Sequence, residues 1–262
     1  MDDNLVSLAV AAAKAAGSTI LTFYRKDLSC EEKPDGSPLT CADQKSHHVI
    51  SALLDKSGIP VVSEEGTDLH MGAHRYWLVD PLDGTKDFLA ASDEFTVNIA
   101  LIGNGIPVLG VLYAPALDEL YFGAPGEFAC RERRGVRTQC RVSPRCGGLR
   151  MAASRFHDHP DSEAFAKINR VAERIPVGAA LKYGRLALGE LDVYPRLVGT
   201  SEWDTAAGQA VLEAAGGHIL DLATGKPLRY GKPHRRNGRF LAFRAPYLAA
   251  DFKLTTCDGE CS

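Results

Sequence analysis

The sequence predicts an α/β protein in which helical and sheet segments are laid out in turn along the chain. Three observations carry that expectation. Leu5, Leu8, Ala9, Ala12, Ala16, Ile20 and Phe23 share the spacing of one buried helix face. Residues 95–122 form short apolar runs divided by Gly and Asn, the pattern of an antiparallel meander. Beyond residue 145 strand-like and helix-like segments alternate.

Taken in order, the N-terminal helix is followed by Lys33-Pro34-Asp35-Gly36-Ser37-Pro38, which is loop chemistry. Thr40-Cys41-Ala42-Asp43 opens a second helix with Val49, Ile50, Leu53 and Leu54 facing inward. Ile59 to Ser63 reads as a strand ending in Glu64-Glu65, and Tyr76 to Asp80 as a strand running into the turn Pro81-Leu82-Asp83-Gly84. Three meander strands follow, at Phe95–Leu101, Pro107–Tyr113 and Glu119–Phe122. In the second half, Met151–Ser154, Leu191–Tyr194 and His218–Asp221 read as strands. Asp161–Arg174, Leu181–Leu188 and Asp204–Ala215 read as helices. A domain boundary is expected near residue 145, giving an N-terminal half over 1–145 and a C-terminal half over 146–262. The tail after Asp251 has little pattern.

A chain of 262 residues is one large domain or two modest ones, at about 150 residues per domain. Its 30 basic and 33 acidic residues, a net charge of −3, argue against a binder of nucleic-acid polymers or of anionic membrane surfaces. Seven cysteines, none in C-x-x-C spacing, suit free thiols in a reducing cytoplasm. The Ala-rich stretch from Leu5 to Phe23 is interrupted by Lys14, Gly17 and Ser18 and is too polar for a bilayer span. A cytoplasmic location follows. Loose association with the inner membrane is left open, and so is the oligomeric state. The Arg-rich stretch from Arg131 to Arg150 is expected to be a solvated rim.

Three acidic clusters sit at ends of predicted elements: Glu64-Glu65, Asp80-Pro81-Leu82-Asp83-Gly84-Thr85, and Trp203-Asp204-Thr205. Singly, each is ordinary: a solvated Glu pair, a Pro/Gly turn, a helix N-cap. Together they form a hard-oxygen donor set of the kind Mg2+ takes. Clustered carboxylates in a concave site are unfavourable without a cation. The turn after Asp80 can bring the Asp80 and Asp83 carboxylates and the Leu82 carbonyl toward one point. Some phosphatases end a strand in an Asp-rich Asp-Gly-Thr motif whose first Asp is phosphorylated, with the acids two positions apart. Asp80 and Asp83 are three apart, which favours metal ligation and attack by water.

Val79-Asp80-Pro81-Leu82-Asp83-Gly84-Thr85, with Trp203-Asp204-Thr205-Ala206-Ala207-Gly208 and Ala215-Gly216-Gly217, resembles the paired signature of the inositol monophosphatase superfamily. These are Mg2+-dependent, lithium-sensitive phosphatases. Lys86-Asp87-Phe88 after the first motif is similar to the 3'(2'),5'-bisphosphate nucleotidases of the CysQ type, where inositol phosphatases usually carry Thr-Asn-Phe. Gly36-Ser37-Pro38-Leu39-Thr40, Glu94 to Ala100, Leu109 to Pro115, Ser154-Arg155 with His157, and Tyr194-Pro195-Arg196 point to the same branch. The resemblance spans residues 5–244.

The resemblance implies a layered sugar-phosphatase fold, αβαβα, with the active site between two halves. It implies that Glu64, Asp80, the Leu82 carbonyl, Asp83 and Asp204 hold two or three Mg2+ ions. Glu65 would position the attacking water or a further metal, and Thr85, bonded to Asp43, would orient and activate that water. Gly84 and Thr85 backbone amides would face the scissile phosphate, with Glu64, Asp83 and Asp204 also lining the substrate. His157, Lys182 and Arg196 would contact the nucleotide or its second phosphate. Ala179-Ala180 departs from the Ser-Ser common in relatives, removing any hydroxyl contact there. The expected reaction is hydrolysis of adenosine 3',5'-bisphosphate to AMP and phosphate, which serves sulfur metabolism. The rivals are an inositol or sugar-phosphate phosphatase of the same fold, and a non-catalytic nucleotide or metal sensor.

Overall fold

Alanine sets the position of the first helix. In the computed structural model, which describes residues 1–26, 30–32, 38–66, 72–141, 147–155 and 160–254, helix α1 spans Asp3–Leu21. Ala9, Ala12, Ala13, Ala16 and Ile20 form its buried face, and such small side chains let the helix lie close to the sheet beneath it. By length and composition α1 is the one candidate membrane span among the described residues, yet this face is packed inside the protein. Strands β1 (Cys30–Glu32) and β2 (Pro38–Thr40) make a small antiparallel pair. Thr40 then caps α2 (Cys41–Leu54) in a capping box with Asp43.

The central sheet has seven strands in chain order: β3 (Val61–Ser63), β4 (Arg75–Asp83), β5 (Thr96–Gly103), β6 (Ile106–Ala114), β7 (Glu119–Ala124), β8 (Phe128–Arg133) and β9 (Val136–Gln139). Only β3 and β4 are parallel; the rest is a meander. Both faces are covered, and alternation divides the side chains between them. Trp77, Val79, Val97, Ile99 and Leu101 pack toward α1 and α2. Tyr76, Leu78, Ala100 and Ile102 pack the opposite way. That opposite layer contains α5 (Leu181–Ala187) and α6 (Ala206–Ala214), and the short α3 (Thr85–Leu89) follows β4.

The second sheet has the order β11-β10-β12-β16-β14: β10 (Arg150–Ala153), β11 (Glu173–Pro176), β12 (Val193–Arg196), β14 (His218–Asp221) and β16 (Phe240–Phe243). Its other face packs on α4 (Pro160–Ile168) through Met151, Phe165, Val193 and Phe243. The layers therefore run helix, sheet, helix, sheet, helix. A two-stranded ribbon, β13 (Thr200–Ser201) with β15 (Arg236–Asn237), stands apart from both sheets.

Several expectations need correction. The strand expected to stop at Asp80 continues through Pro81 to Asp83, carried by a register shift between Asp80 and Asp83. The helix expected over 161–174 stops at Ile168, where the Asn169 amide bonds the Phe165 carbonyl and Arg170 turns left-handed. Glu173–Pro176 is strand instead. The strand expected from Leu191 begins at Val193, and α6 begins at Ala206, leaving Asp204 in a turn. The Arg-rich stretch is no uniform rim: it forms β8 and β9, and Arg150 is buried on Asp192. His157, the loop over 33–37, the boundary near 145 and the end of the tail lie outside the described residues.

Candidate active site

The register shift in β4 decides where the acids point. In a regular strand two residues three apart face opposite sides of the sheet. Asp80 continues the Tyr76–Leu78 face, so Asp83 would otherwise point away from it. The shift re-aims the chain, as bulges do beside functional sites, and both acids line one cavity of about 470 Å³. The Pro81 carbonyl accepts from Ser46 Oγ at 2.7 Å, which fastens the distorted segment to α2. Gly84 then turns the chain with φ +83, a backbone conformation costly for side-chain-bearing residues, and Thr85 opens α3.

Glu64 leaves the end of β3 and Asp204 the turn before α6. With Asp80 they offer three carboxylate oxygens lying within 4.8 Å of one another. Asp83 is outside that triad but lines the same cavity, its Oδ2 accepting from Asn98 Nδ2 at 3.1 Å and from the Thr96 hydroxyl at 3.5 Å. Asp204 is held by the Thr200 hydroxyl and by the Ser201 amide at 3.0 Å. Burial pushes the Asp204 carboxyl up to about 7, and the negative charge of Asp83 adds to the shift. Burial raises Asp83 as well, although Asn98 and Lys182 oppose it. Asp83 and Asp204, which resist ionisation, share the cavity with Asp80 and Glu64, and such a set of carboxylates fits a hard divalent cation.

Thr85 Oγ1 lies 3.3 Å from Asp43 Oδ1 and 3.2 Å from the Leu82 carbonyl. Asp43 is buried, and its other oxygen accepts from the Thr40 amide at 2.8 Å and the Thr40 hydroxyl at 2.6 Å. The residue that caps α2 is thus also the one that orients the Thr85 partner. Glu65, next to Glu64, is not among the residues lining the cavity; it sits electrostatically beside His47.

The same cavity is also lined by cationic and aromatic side chains. Lys182 is buried, with Nζ bonded to the Ala179 carbonyl at 2.9 Å and set 5.4 Å from the centre of the Tyr194 ring. Arg196, also lining the cavity, has its Nε buried without a hydrogen-bond partner. Arg155 bridges Asp87 at 3.2 Å and Glu94 at 2.5 Å, and Glu94 accepts from the Gly178 amide at 2.9 Å. Sequence reasoning did not single out the side chains that hold the acids, Thr96, Asn98 and Thr200, or Ser46, which fastens the Pro81 carbonyl between them. For Asn98 and Thr96 a signal existed, since polar residues inside an otherwise apolar, doubly covered strand need a buried partner.

The sequence profile of the inositol monophosphatase family matches residues 1–250. The chain belongs to the inositol monophosphatase family. Within it, the 3'(2'),5'-bisphosphate nucleotidase CysQ of Escherichia coli is 43% identical over 227 residues, covering 83% of this chain and 90% of that protein. The CysQ of Buchnera aphidicola is 36% identical, covering 85% and 86%. The crystal structure of CysQ from Bacteroides thetaiotaomicron superposes with a TM-score of 0.84 at 37% identity, over 93% of this chain and 98% of that one. An inositol monophosphatase of Thermotoga maritima, at 23% identity, shares the fold with a TM-score of 0.75 over 93% and 92% of the two chains.

Proposed function

We infer that this family member is a Mg2+-dependent 3'(2'),5'-bisphosphate nucleotidase that cleaves the 3'-phosphate of adenosine 3',5'-bisphosphate, leaving AMP and inorganic phosphate and so serving sulfur assimilation. The observation that carries the reading is one cavity lined both by a carboxylate triad and by Lys182 and Arg196. The identity to CysQ proteins along most of the chain supports the same substrate. A substrate with a single phosphate would give these cations no second anion to bind.

Glu64, Asp80, Asp83, Asp204 and the Leu82 carbonyl would hold the two or three ions. Bound Mg2+ supplies an acidified water and neutralises charge on the phosphate oxygens. Thr85 Oγ1 accepts a hydrogen from the attacking water and passes its own toward Asp43 Oδ1, whose partner oxygen is fixed by Thr40. Glu65, which the family resemblance assigns to that water, lies beside Glu64 and outside the cavity lining. The Gly84 and Thr85 amides point at the phosphate, a use of turn amides that needs no side chain. His157, Lys182 and Arg196 bind the nucleoside and its uncleaved phosphate. We place the reaction in the cytoplasm, in an N-terminal half that carries the metal motifs and a C-terminal half that carries the nucleotide contacts and Asp204.

Phosphate release from adenosine 3',5'-bisphosphate and from inositol 1-phosphate, with and without Mg2+, tests this. Faster turnover of the nucleotide is expected. Preference for the inositol ester would assign the chain to the sugar-phosphatase alternative, and no Mg2+-dependent turnover of either would assign it to the sensor class.

A further inference from the structure

Five cations line the cavity: Lys86, Arg155, Lys182, Arg196 and Arg236. Their commitments differ. Arg155 is taken up by Asp87 and Glu94, and Lys182 by the Ala179 carbonyl and the Tyr194 face. Arg196 interacts with Tyr194, and Lys86 is also engaged. Among the described residues Arg236 makes no ion pair and no side-chain hydrogen bond, and it is exposed.

Its placement is fixed by its neighbours. In the β13–β15 ribbon Arg236 pairs with Ser201 and Asn237 with Thr200. The flanking Arg235 and Asn237 are both buried, so strand alternation turns Arg236 the other way, over the cavity. Arg235 Nη1 bonds the Tyr76 hydroxyl at 3.1 Å and lies 3.4 Å from Glu202, and Asn237 Nδ2 bonds the Thr205 hydroxyl at 2.7 Å. Glu202, fully buried, also accepts the Gly231 and Lys232 amides at 3.0 Å each and pairs with Lys232 Nζ at 3.2 Å. The other strand of the same ribbon supplies Thr200 and Ser201, the two residues that hold Asp204. A rigid ribbon thus carries the support of an acid on one strand. One strand spacing away, about 5 Å, it carries an unspent guanidinium.

We propose that Arg236 binds the phosphate of the substrate that is not cleaved, and so selects nucleoside bisphosphates over monophosphates. This rests on the nucleotidase reading above. A planar guanidinium suits a terminal phosphate, to which it can donate two parallel N–H bonds. The acid cluster takes the reacting phosphate, and a second dianion on the same ribose needs a partner that is not already satisfied. Among the described residues Arg236 is the cavity cation that fits this description; Arg196, whose Nε is buried without a partner, lines the same cavity.

The test compares Arg236→Ala and Arg236→Lys with the unaltered protein on adenosine 3',5'-bisphosphate and adenosine 3'-monophosphate. Loss of a charged hydrogen bond predicts a fall of roughly 10- to 100-fold in kcat/KM for the bisphosphate, expressed mainly in KM. The monophosphate, which lacks the second group, should change by no more than about twofold, the ordinary range for a surface substitution. Arg236→Lys should recover part of the loss. Calorimetry should show weaker AMP binding in Arg236→Ala with adenosine binding unchanged. Equal losses on both substrates, or undiminished bisphosphate turnover, would overturn the proposal. Failure of the underlying reading appears separately, in the unaltered protein, as preference for inositol 1-phosphate and no gain of AMP over adenosine in binding.

Discussion

Asp192 is buried and Asp204 half-buried, each held by more than one donor, yet their acidities move in opposite directions. At Asp192 burial raises the carboxyl, but the bonds from Arg150 and then Arg244 outweigh it and leave it below the usual range. Those guanidiniums stand 3.0 and 2.6 Å away. Asp204 has only a hydroxyl and an amide, burial dominates, and neighbouring Asp83 adds its charge. Glu119, with Arg185 at 2.9 Å and Arg131 at 3.6 Å, belongs with Asp192. The difference separates acids whose counter-charge comes from the chain from acids whose counter-charge must come from outside it. The fold gives Asp192 and Glu119 arginine partners at contact distance and gives Asp204 none, an arrangement that agrees with the proposed metal role of Asp204.

The contrast can be broken most sharply at the site. Asp83→Asn or Asp204→Asn should lower phosphate release by ~10³-fold or more, since charge stabilisation of this kind carries several kcal/mol. The thermal midpoint without Mg2+ should hold or rise, because one of several crowded like charges is gone. Substantial residual Mg2+-dependent turnover would show that these acids do not hold the ions. Asp192→Ala should do the reverse: a loss of about 3–5 kcal/mol in urea unfolding, from two buried arginines left unpaired, with turnover kept by the folded fraction. Activity lost without stability would place Asp192 with the site acids.

Glu213 gives a smaller and different test. It lies on α6 with Gln209 as its hydrogen-bond partner at 2.9 Å, and burial raises it from 4.5 to about 7 against that bond. An acid whose folded pKa is raised binds its proton more tightly in the native state. Its contribution is therefore present at low pH and is lost as pH rises from about 4.5 through about 7. Glu213→Gln should flatten the stability profile across that window, read by melting at a series of pH values. An unchanged slope would mean that Glu213 ionises freely.

Local chemistry made much of this visible in the sequence. The Ala face of α1, the Thr40–Asp43 cap and the meander strands follow from spacing and caps alone. The grouping of Asp80, Asp83 and Asp204 came from three individually ordinary motifs occurring together, and the fold brings all three acids to one cavity. What stayed hidden depends on distant pairing. Arg150 looks like one more solvated arginine until Asp192, 42 positions on, meets it. Strand β16 and the β13–β15 ribbon are too short for periodicity to speak, and Glu202 acquires meaning only where the ribbon closes on it. The continuation of β4 through Pro81 contradicts the usual reading of Pro-Leu-Asp-Gly as a turn. A register shift and the Ser46 bond to the Pro81 carbonyl, neither of them local, make that continuation possible.

Helix α6 begins two residues after Asp204, and at Gly208 an added Cβ would run into the Tyr183 ring. A helix bedded this closely has no clearance to slide or roll, so the metal end of the cavity is mechanically stiff. Whatever compliance the cavity needs to admit and release a nucleotide must lie at its rim. There the exposed side chain of Arg236 can swing on a frame that does not yield.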